Sequence, residues 1–213
     1  MTKILVVDDH PVVRKGLIGL INSQKDMQVC GEADREDEAT AAVEKLKPDV
    51  VVLDLMLQQR DGIETIRNWK NLYPDLVVLV LSAQDETLYA ERVIRAGGRG
   101  FIDKNQAAEE VLTAIRLVNS GKIYVSRRVA ARTFPHKLET TGTAKPDISR
   151  LTNRELHVFQ LIGSGLENRK IAAKLKVSVK TVETHRENIK NKLNLSDSAA
   201  LNARAFRWVR EGR

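Results

Sequence analysis

The chain has 213 residues, 42% of them hydrophobic. That exceeds the usual single-domain length and is enough for ordinary cores. No apolar run approaches the ~20 residues of a membrane-spanning helix, and the apolar run at the N-terminus stops at Asp8-Asp9, unlike a secretory leader. The single cysteine, Cys30, allows no internal disulfide and points to a reducing compartment, the cytoplasm; it reads as a small core residue. The net charge of +7 conceals an asymmetry: residues 1–121 hold 15 basic and 20 acidic side chains, net −5, and residues 122–213 hold 20 and 8, net +12. An acidic half joined to a basic half implies two jobs, the second suited to a polyanion such as DNA.

The first 120 residues alternate apolar strands with amphipathic helices. Ile4–Val7 is a β-branched run closed by two aspartates; Pro11 suits the first turn of a helix, with Val13, Leu17, Leu20 and Ile21 at helical spacing. Further strands are expected at Val29–Ala33, Val50–Leu53, Leu76–Leu81 and Gly100–Ile102. Helices are expected at Glu36–Leu46, Gly62–Leu72, Asp85–Ala96 and Gln106–Asn119. Strands apolar on both faces belong in a parallel sheet covered on both sides. Five βα units predict a doubly wound α/β domain with flavodoxin-like order, over residues 1–121. Residues 122–148, rich in Thr, Pro and Gly towards their end, are expected to be a linker, and 149–213 read as all helical.

Ligands of such a sheet bind beyond the carboxyl ends of its strands. Those ends carry Asp8 and Asp9 after the first strand, Asp54 after the third, Ser82 after the fourth and Lys104 after the fifth. Taken singly, each is ordinary: a turn aspartate, a solvated lysine. Together, three carboxylates favour a divalent cation, and hard oxygen ligands suit Mg²⁺. A lysine and a hydroxyl nearby suit phosphoryl transfer to a carboxylate.

Residues 3–121 resemble the receiver domain of two-component response regulators. The resemblance rests on Ile-Leu-Val-Val-Asp8-Asp9-His10-Pro11, Val-Leu-Asp54-Leu-Met, Leu-Ser82-Ala83 and Gly-Phe101-Ile-Asp-Lys104. It implies that Asp54 takes a phosphoryl group from a sensor histidine kinase. It also implies that Asp9, Asp54 and the Met56 carbonyl hold Mg²⁺ with Asp8 in support, that Lys104 pairs with phosphoryl oxygens, and that Ser82 and Phe101 switch in response. Asn105 stands where many receivers have proline. Haloacid dehalogenase-type phosphatases are similar in using a strand-end aspartate, but they carry a second acid two residues on, where this chain has Met56; an enzyme is not expected.

In the basic half, Thr152 and Glu155 form a capping box, with Leu151 and Leu156 as a hydrophobic staple. Leu156, Phe159, Leu161 and Ile162 supply an apolar side, and Gly163 and Gly165 are expected to end that helix. Asn168 is expected to cap a short helix ending at Leu175. Lys176-Val177-Ser178 is a turn, and a third helix runs from about Val179 to Leu193. Two helices joined by a three-residue turn form a helix-turn-helix pattern. Val182, Ile189 and Leu193 are inward; Lys180, Glu183, Thr184, Glu187 and Asn191 lie opposite, on a face that suits a major groove. Lys170, Lys190 and Lys192 are candidates for phosphate contacts, and Glu183 and Glu187 would be repelled by phosphate unless bound to cytosine N4 donors or paired with nearby bases. The segment 149–209 resembles LuxR-type helix-turn-helix domains through Leu151-Thr152-x-Arg154-Glu155, Asn168-x-x-Ile171-Ala172-x-x-Leu175 and Ser178-Val179-Lys180-Thr181-Val182-x-x-His185-x-x-x-Ile189-x-x-Lys192-Leu193. Together the halves resemble the NarL/FixJ class of transcription regulators. That resemblance adds Thr181, His185 and Asn188 to the DNA-facing set and implies binding to double-stranded DNA as a homodimer, with the last helix, Asp197–Val209, sharing in dimer contact.

Overall fold

The computed structural model describes residues 1–57, 61–106, 108–126, 129–130 and 147–211; most of the expected linker lies outside them. The chain divides into two compact units, Met1–Leu138 and Glu139–Arg213.

The first unit contains five parallel strands, β1 (Thr2–Val7), β2 (Met27–Ala33), β3 (Val50–Leu53), β4 (Val77–Ser82) and β5 (Gly100–Asp103), in the order β2-β1-β3-β4-β5. Helices α1 (Pro11–Asn22), α2 (Glu36–Leu46), α3 (Gly62–Leu72), α4 (Glu86–Arg95) and α5 (Ala108–Asn119) connect and follow them. This is the expected flavodoxin-like order, with the sheet reversing direction of growth beside β1 and β3. Side chains alternate across the sheet. Ile4, Val6, Val50, Val52, Leu79, Leu81 and Ile102 pack with Leu17 and Ile21 of α1 and Val111, Leu112 and Ile115 of α5. Leu5, Val7, Val51, Leu53, Val80 and Phe101 fall on the other face and are also buried. Trp69 of α3, 1% exposed, donates its ring N–H to Thr40 Oγ1 of α2 at 2.9 Å, which satisfies the polar atom it buries.

The two helices that bracket the strand-end loops start as their sequences dictate. Asp61 Oδ1 accepts from the Ile63 amide and Asp85 Oδ1 from the Thr87 amide, so Asp85 is the cap of α4 and not its first residue. Beyond α5 the chain returns to the sheet edge. Tyr124 donates its amide to the Arg99 carbonyl and its carbonyl accepts from the Phe101 amide. Ser126 donates its amide to buried Glu86 of α4 at 2.6 Å. The segment expected as linker thus begins as an edge of the first unit.

The second unit holds a short 3-10 turn (Asp147–Arg150) and four helices, α6 (Asn153–Gly163), α7 (Asn168–Leu175), α8 (Val179–Leu193) and α9 (Ser198–Glu211). The capping box at α6 is complete: Thr152 Oγ1 accepts from the Glu155 amide and Glu155 Oε2 from the Thr152 amide. Asn168, expected as a cap, is instead the first residue of α7; Glu167 occupies the cap position without a side-chain bond. Lys176 sits in the left-handed region (φ 53°) and turns the chain from α7 into α8, where Ser178 caps by accepting from the Thr181 amide. Among the described residues no helix is long and apolar enough to cross a membrane.

Gly163 and Gly165 end α6 as expected: Gly163 is its last helical residue, Gly165 follows in the left-handed region (φ 79°), and Gly163 has a packing role besides. A Cβ there would lie 2.5 Å from the Ala205 carbonyl of α9, so glycine permits the close α6–α9 approach that also brings the Phe159 and Trp208 rings to 5.6 Å. Gly163→Ala should therefore destabilise the second unit by about 1–2 kcal/mol, overpacking outweighing the better helix propensity of alanine. Calorimetry of the full chain should show the transition of the second unit lowered and that of the first unit unmoved.

Candidate functional site

The carboxyl ends of β1, β3, β4 and β5 converge as expected. Backbone pairing continues one residue past the strands: the Asp8 amide donates to Ala33 O, the Asp54 amide to Val7 O at 2.8 Å, and the Lys104 amide to Ser82 O at 2.9 Å. The same ladder that builds the sheet therefore aligns the functional side chains. Asp8, Asp54 and Ser82 are buried, at 1%, 4% and 1% exposure. Lys104 Nζ donates to Asp54 Oδ2 at 2.7 Å and lies 2.7 Å from Asp8 Oδ2. Met56, in the turn after β3, donates its amide to Asp54 Oδ1 at 3.2 Å. Ser82 Oγ accepts from the Gln84 amide, and Phe101 is wholly buried in β5.

His10 is the member that sequence reasoning did not single out. Its Nδ1 lies 2.8 Å from Asp9 Oδ1, 3.2 Å from Asp8 Oδ1 and 3.8 Å from Asp54 Oδ2, although the ring is largely exposed. Adjacency to two aspartates at a strand end was the available signal. Ligand atoms of Asp8, Asp9, His10 and Asp54 all lie within 4.8 Å of one another. Hard carboxylate oxygens so gathered, with one lysine among them, fit a bound divalent cation.

Burial raises the Asp54 carboxyl above its ordinary pKa; Lys104 draws it back and Asp8 pushes it up. Burial would lower the Lys104 ammonium, but its contacts with Asp54 and Asp8 outweigh that and hold it above its usual value. Burial thus works against the charge on Asp54, and Lys104 beside it works in its favour.

In the second unit, Val182, Ile189 and Leu193 of α8 are buried, as expected. Lys180, Glu183, Thr184, Glu187 and Asn188 are exposed, as is Lys170 of α7; Thr181 and His185 are half-buried. Three of the charged candidates, Lys192, Glu187 and Lys190, are held in ion pairs within the fold. Lys192 Nζ contacts buried Glu155 Oε2 at 2.7 Å, the oxygen that also completes the capping box. Glu187 pairs with Lys190 at 2.8 Å. Burial and nearby Arg154 lower the His185 pKa, which favours its neutral form.

Residues 4–116 match the response regulator receiver domain family, and residues 149–205 match the bacterial regulatory proteins of the luxR family. The chain is a response regulator. Its family consists of transcription regulators of two-component systems, in which the receiver answers to a sensor kinase and the LuxR-type domain binds DNA. This response regulator is 35% identical over 205 residues to the oxygen regulatory protein NreC of Staphylococcus epidermidis, covering 93% of this chain and 94% of that protein. It is equally 35% identical over 199 residues to the transcriptional regulatory protein LiaR of Bacillus subtilis, covering 92% and 93%. A solved structure of Salmonella enterica RcsB, bound to promoter DNA in the presence of the phosphomimetic BeF3−, matches in fold with a TM-score of 0.57 at 24% identity, over 95% of this chain and 96% of that one. RcsB has also been solved as dimers on DNA.

Because the folded pKa of Asp54 is raised, the folded state holds that proton more tightly than the unfolded chain does. Stability from this group is therefore present at low pH and lost as pH rises through the unfolded carboxylate value, near ~4, toward the folded one. In metal-free buffer at pH 7, Asp54→Asn should melt higher than the parent regulator, on the order of a few degrees. Thermal scans should show that gap closing below pH 4.

Proposed function

We propose that Asp54 is the phosphoacceptor of this regulator and that its phosphorylation controls DNA binding by the second unit. The observation that carries the reading is the buried Asp54 carboxylate with Lys104 Nζ on Oδ2 at 2.7 Å, inside a ring of acids at the strand ends. An oxygen of Asp54 attacks the phosphorus of a phosphohistidine on the sensor histidine kinase. The P–N bond breaks as the P–O bond forms, and the leaving imidazole takes a proton from solvent. Lys104 holds a phosphoryl oxygen as charge moves onto the acceptor. Asp9, Asp54 and the Met56 carbonyl would hold Mg²⁺, with Asp8 in support. When bound, the ion supplies neutralisation of the charge shared between the carboxylates and the phosphoryl group.

Ser82, at the end of β4, then exchanges the Gln84 amide for a phosphoryl oxygen, and Phe101 repacks behind it. The surface from Glu86 to Lys104 changes as a result. This frees the regulator to bind double-stranded DNA as a homodimer, a reading supported by the RcsB dimers seen on DNA. Lys170 would contact phosphates, with Lys192 near it, and Lys180 would enter the groove. Thr181, Glu183, Thr184, His185, Glu187 and Asn188 would face the groove. With a kinase partner, a DNA target and no external substrate to turn over, the protein acts in the cytoplasm as a regulator and not as an enzyme.

The test is phosphoryl transfer from a small-molecule phosphodonor in the presence of Mg²⁺, read by phosphate-affinity electrophoresis. The parent should gain a hydroxylamine-sensitive phosphoryl group, and a chelator should abolish it. Asp54→Asn should gain none, and Lys104→Ala should be slowed ~100-fold or more. Incorporation by Asp54→Asn equal to that of the parent would remove Asp54 from the role.

A further inference from the structure

We propose that Glu183 sets the base specificity of α8 by accepting a hydrogen bond from the exocyclic amino group of a cytosine in the major groove. The proposal rests on the DNA-binding reading above and deepens it.

Glu183 and Glu187 stand one helical turn apart on the exposed side of α8, opposite Val182, Ile189 and Leu193. A carboxylate carried into a groove between two phosphate strands is repelled unless a donor receives it. Glu187 already has one, because Lys190 Nζ lies 2.8 Å away. Glu155, the acid of α6 nearest this helix, is likewise held by Lys192. Among the described ion pairs, none involves Glu183. Neighbouring side chains on that face are turned back to the helix: Thr184 donates its hydroxyl to Lys180 O at 3.0 Å, and Thr181 Oγ1 meets the capping Ser178 Oγ at 2.8 Å. In the first two turns of α8, the end that reads bases in this motif, the exposed charged groups are therefore Lys180 and Glu183.

An ionised carboxylate only accepts. Cytosine presents a lone amino donor at N4. Adenine sets its amino donor beside the N7 acceptor, and guanine and thymine offer acceptors alone on the edge in question. Cytosine is thus the one edge that a carboxylate meets without facing an acceptor. Lys180, one turn back, has the opposite preference and suits guanine O6 and N7. The pair Lys180 and Glu183 accordingly matches G·C base pairs, which net positive charge alone would not select.

The experiment is selection from a random duplex library by the full-length regulator, with and without a small-molecule phosphodonor, comparing the parent with Glu183→Gln and Glu183→Ala. Folding of each variant is checked by far-UV circular dichroism. The parent should enrich a motif with an invariant cytosine. Glu183→Gln should shift that one position toward adenine, whose donor–acceptor edge glutamine matches, and lose ~10-fold or more in affinity for the parent site. Glu183→Ala should relax the same position to any base. Selection of the unchanged motif by both variants, with equal or uniformly tighter binding to every duplex, would show that Glu183 only repels phosphate and would overturn the assignment alone. A parent that enriches no duplex would overturn the DNA-binding reading and this assignment with it.

Discussion

Three carboxylates can share the buried edge of this sheet because Lys104 lies among them. Its ammonium meets Asp8 and Asp54 at 2.7 Å each, and its own amide is fixed to Ser82 O by the β4–β5 ladder. An ion pair of this kind is not a source of large net stability, since desolvation opposes it. Its consequence is chemical. One lysine among Asp8, Asp9 and Asp54 leaves negative charge in excess, and burial still holds the Asp54 carboxyl above its ordinary pKa. The site thereby favours further positive charge, and the lysine stands beside the carboxylate proposed to take the phosphoryl group. The strand order β2-β1-β3-β4-β5 is the condition for all of this, because it sets β3, with Asp54, between the strands that end in Asp8 and Ser82.

Glu155 plays the corresponding part in the second unit. It closes the capping box at the start of α6 and also takes Lys192 from near the end of α8. The far half of the recognition helix is thereby tied to the domain core, and the near half is presented outward. The ties differ along the helix: Lys192 and Lys190 are occupied by acids, whereas Lys180 and Glu183 are exposed without such partners among the described ion pairs. The LuxR-type domain binds DNA, and the proposed role of Glu183 rests on this difference in pairing along the helix.

Much of this was legible in the residues. Apolar runs closed by aspartate announced β1 and β3, and helical spacing placed α8 at Val179–Leu193, the bounds the structure has. The capping box at Thr152 and Glu155 was readable because it is local, four residues long. Errors and omissions arose where a local signal had a distant cause. Gly163 and Gly165 do close α6, Gly165 with φ 79°, but the need for Gly163 to be bare comes from α9 and was not readable. Asn168 looks like a cap, but the chain enters the helix one residue earlier. Residues 122–126 look like linker, but the Tyr124 amide and carbonyl pair with Arg99 and Phe101 at the edge of β5.

Periodicity and strand-end chemistry, which depend on neighbours in the chain, by themselves determined the two-unit organisation, the α/β and helical classes, and the acids and lysine that face one pocket. Only the tertiary structure decided which charge meets which. Lys104 reaches Asp54 across 50 positions, His10 turns onto Asp9, and Lys192 goes to Glu155 across 37. Side-chain spacing encodes the face of an element but not the partner opposite it, and pairing energies depend on burial and distance that exist only once the strands and helices have packed.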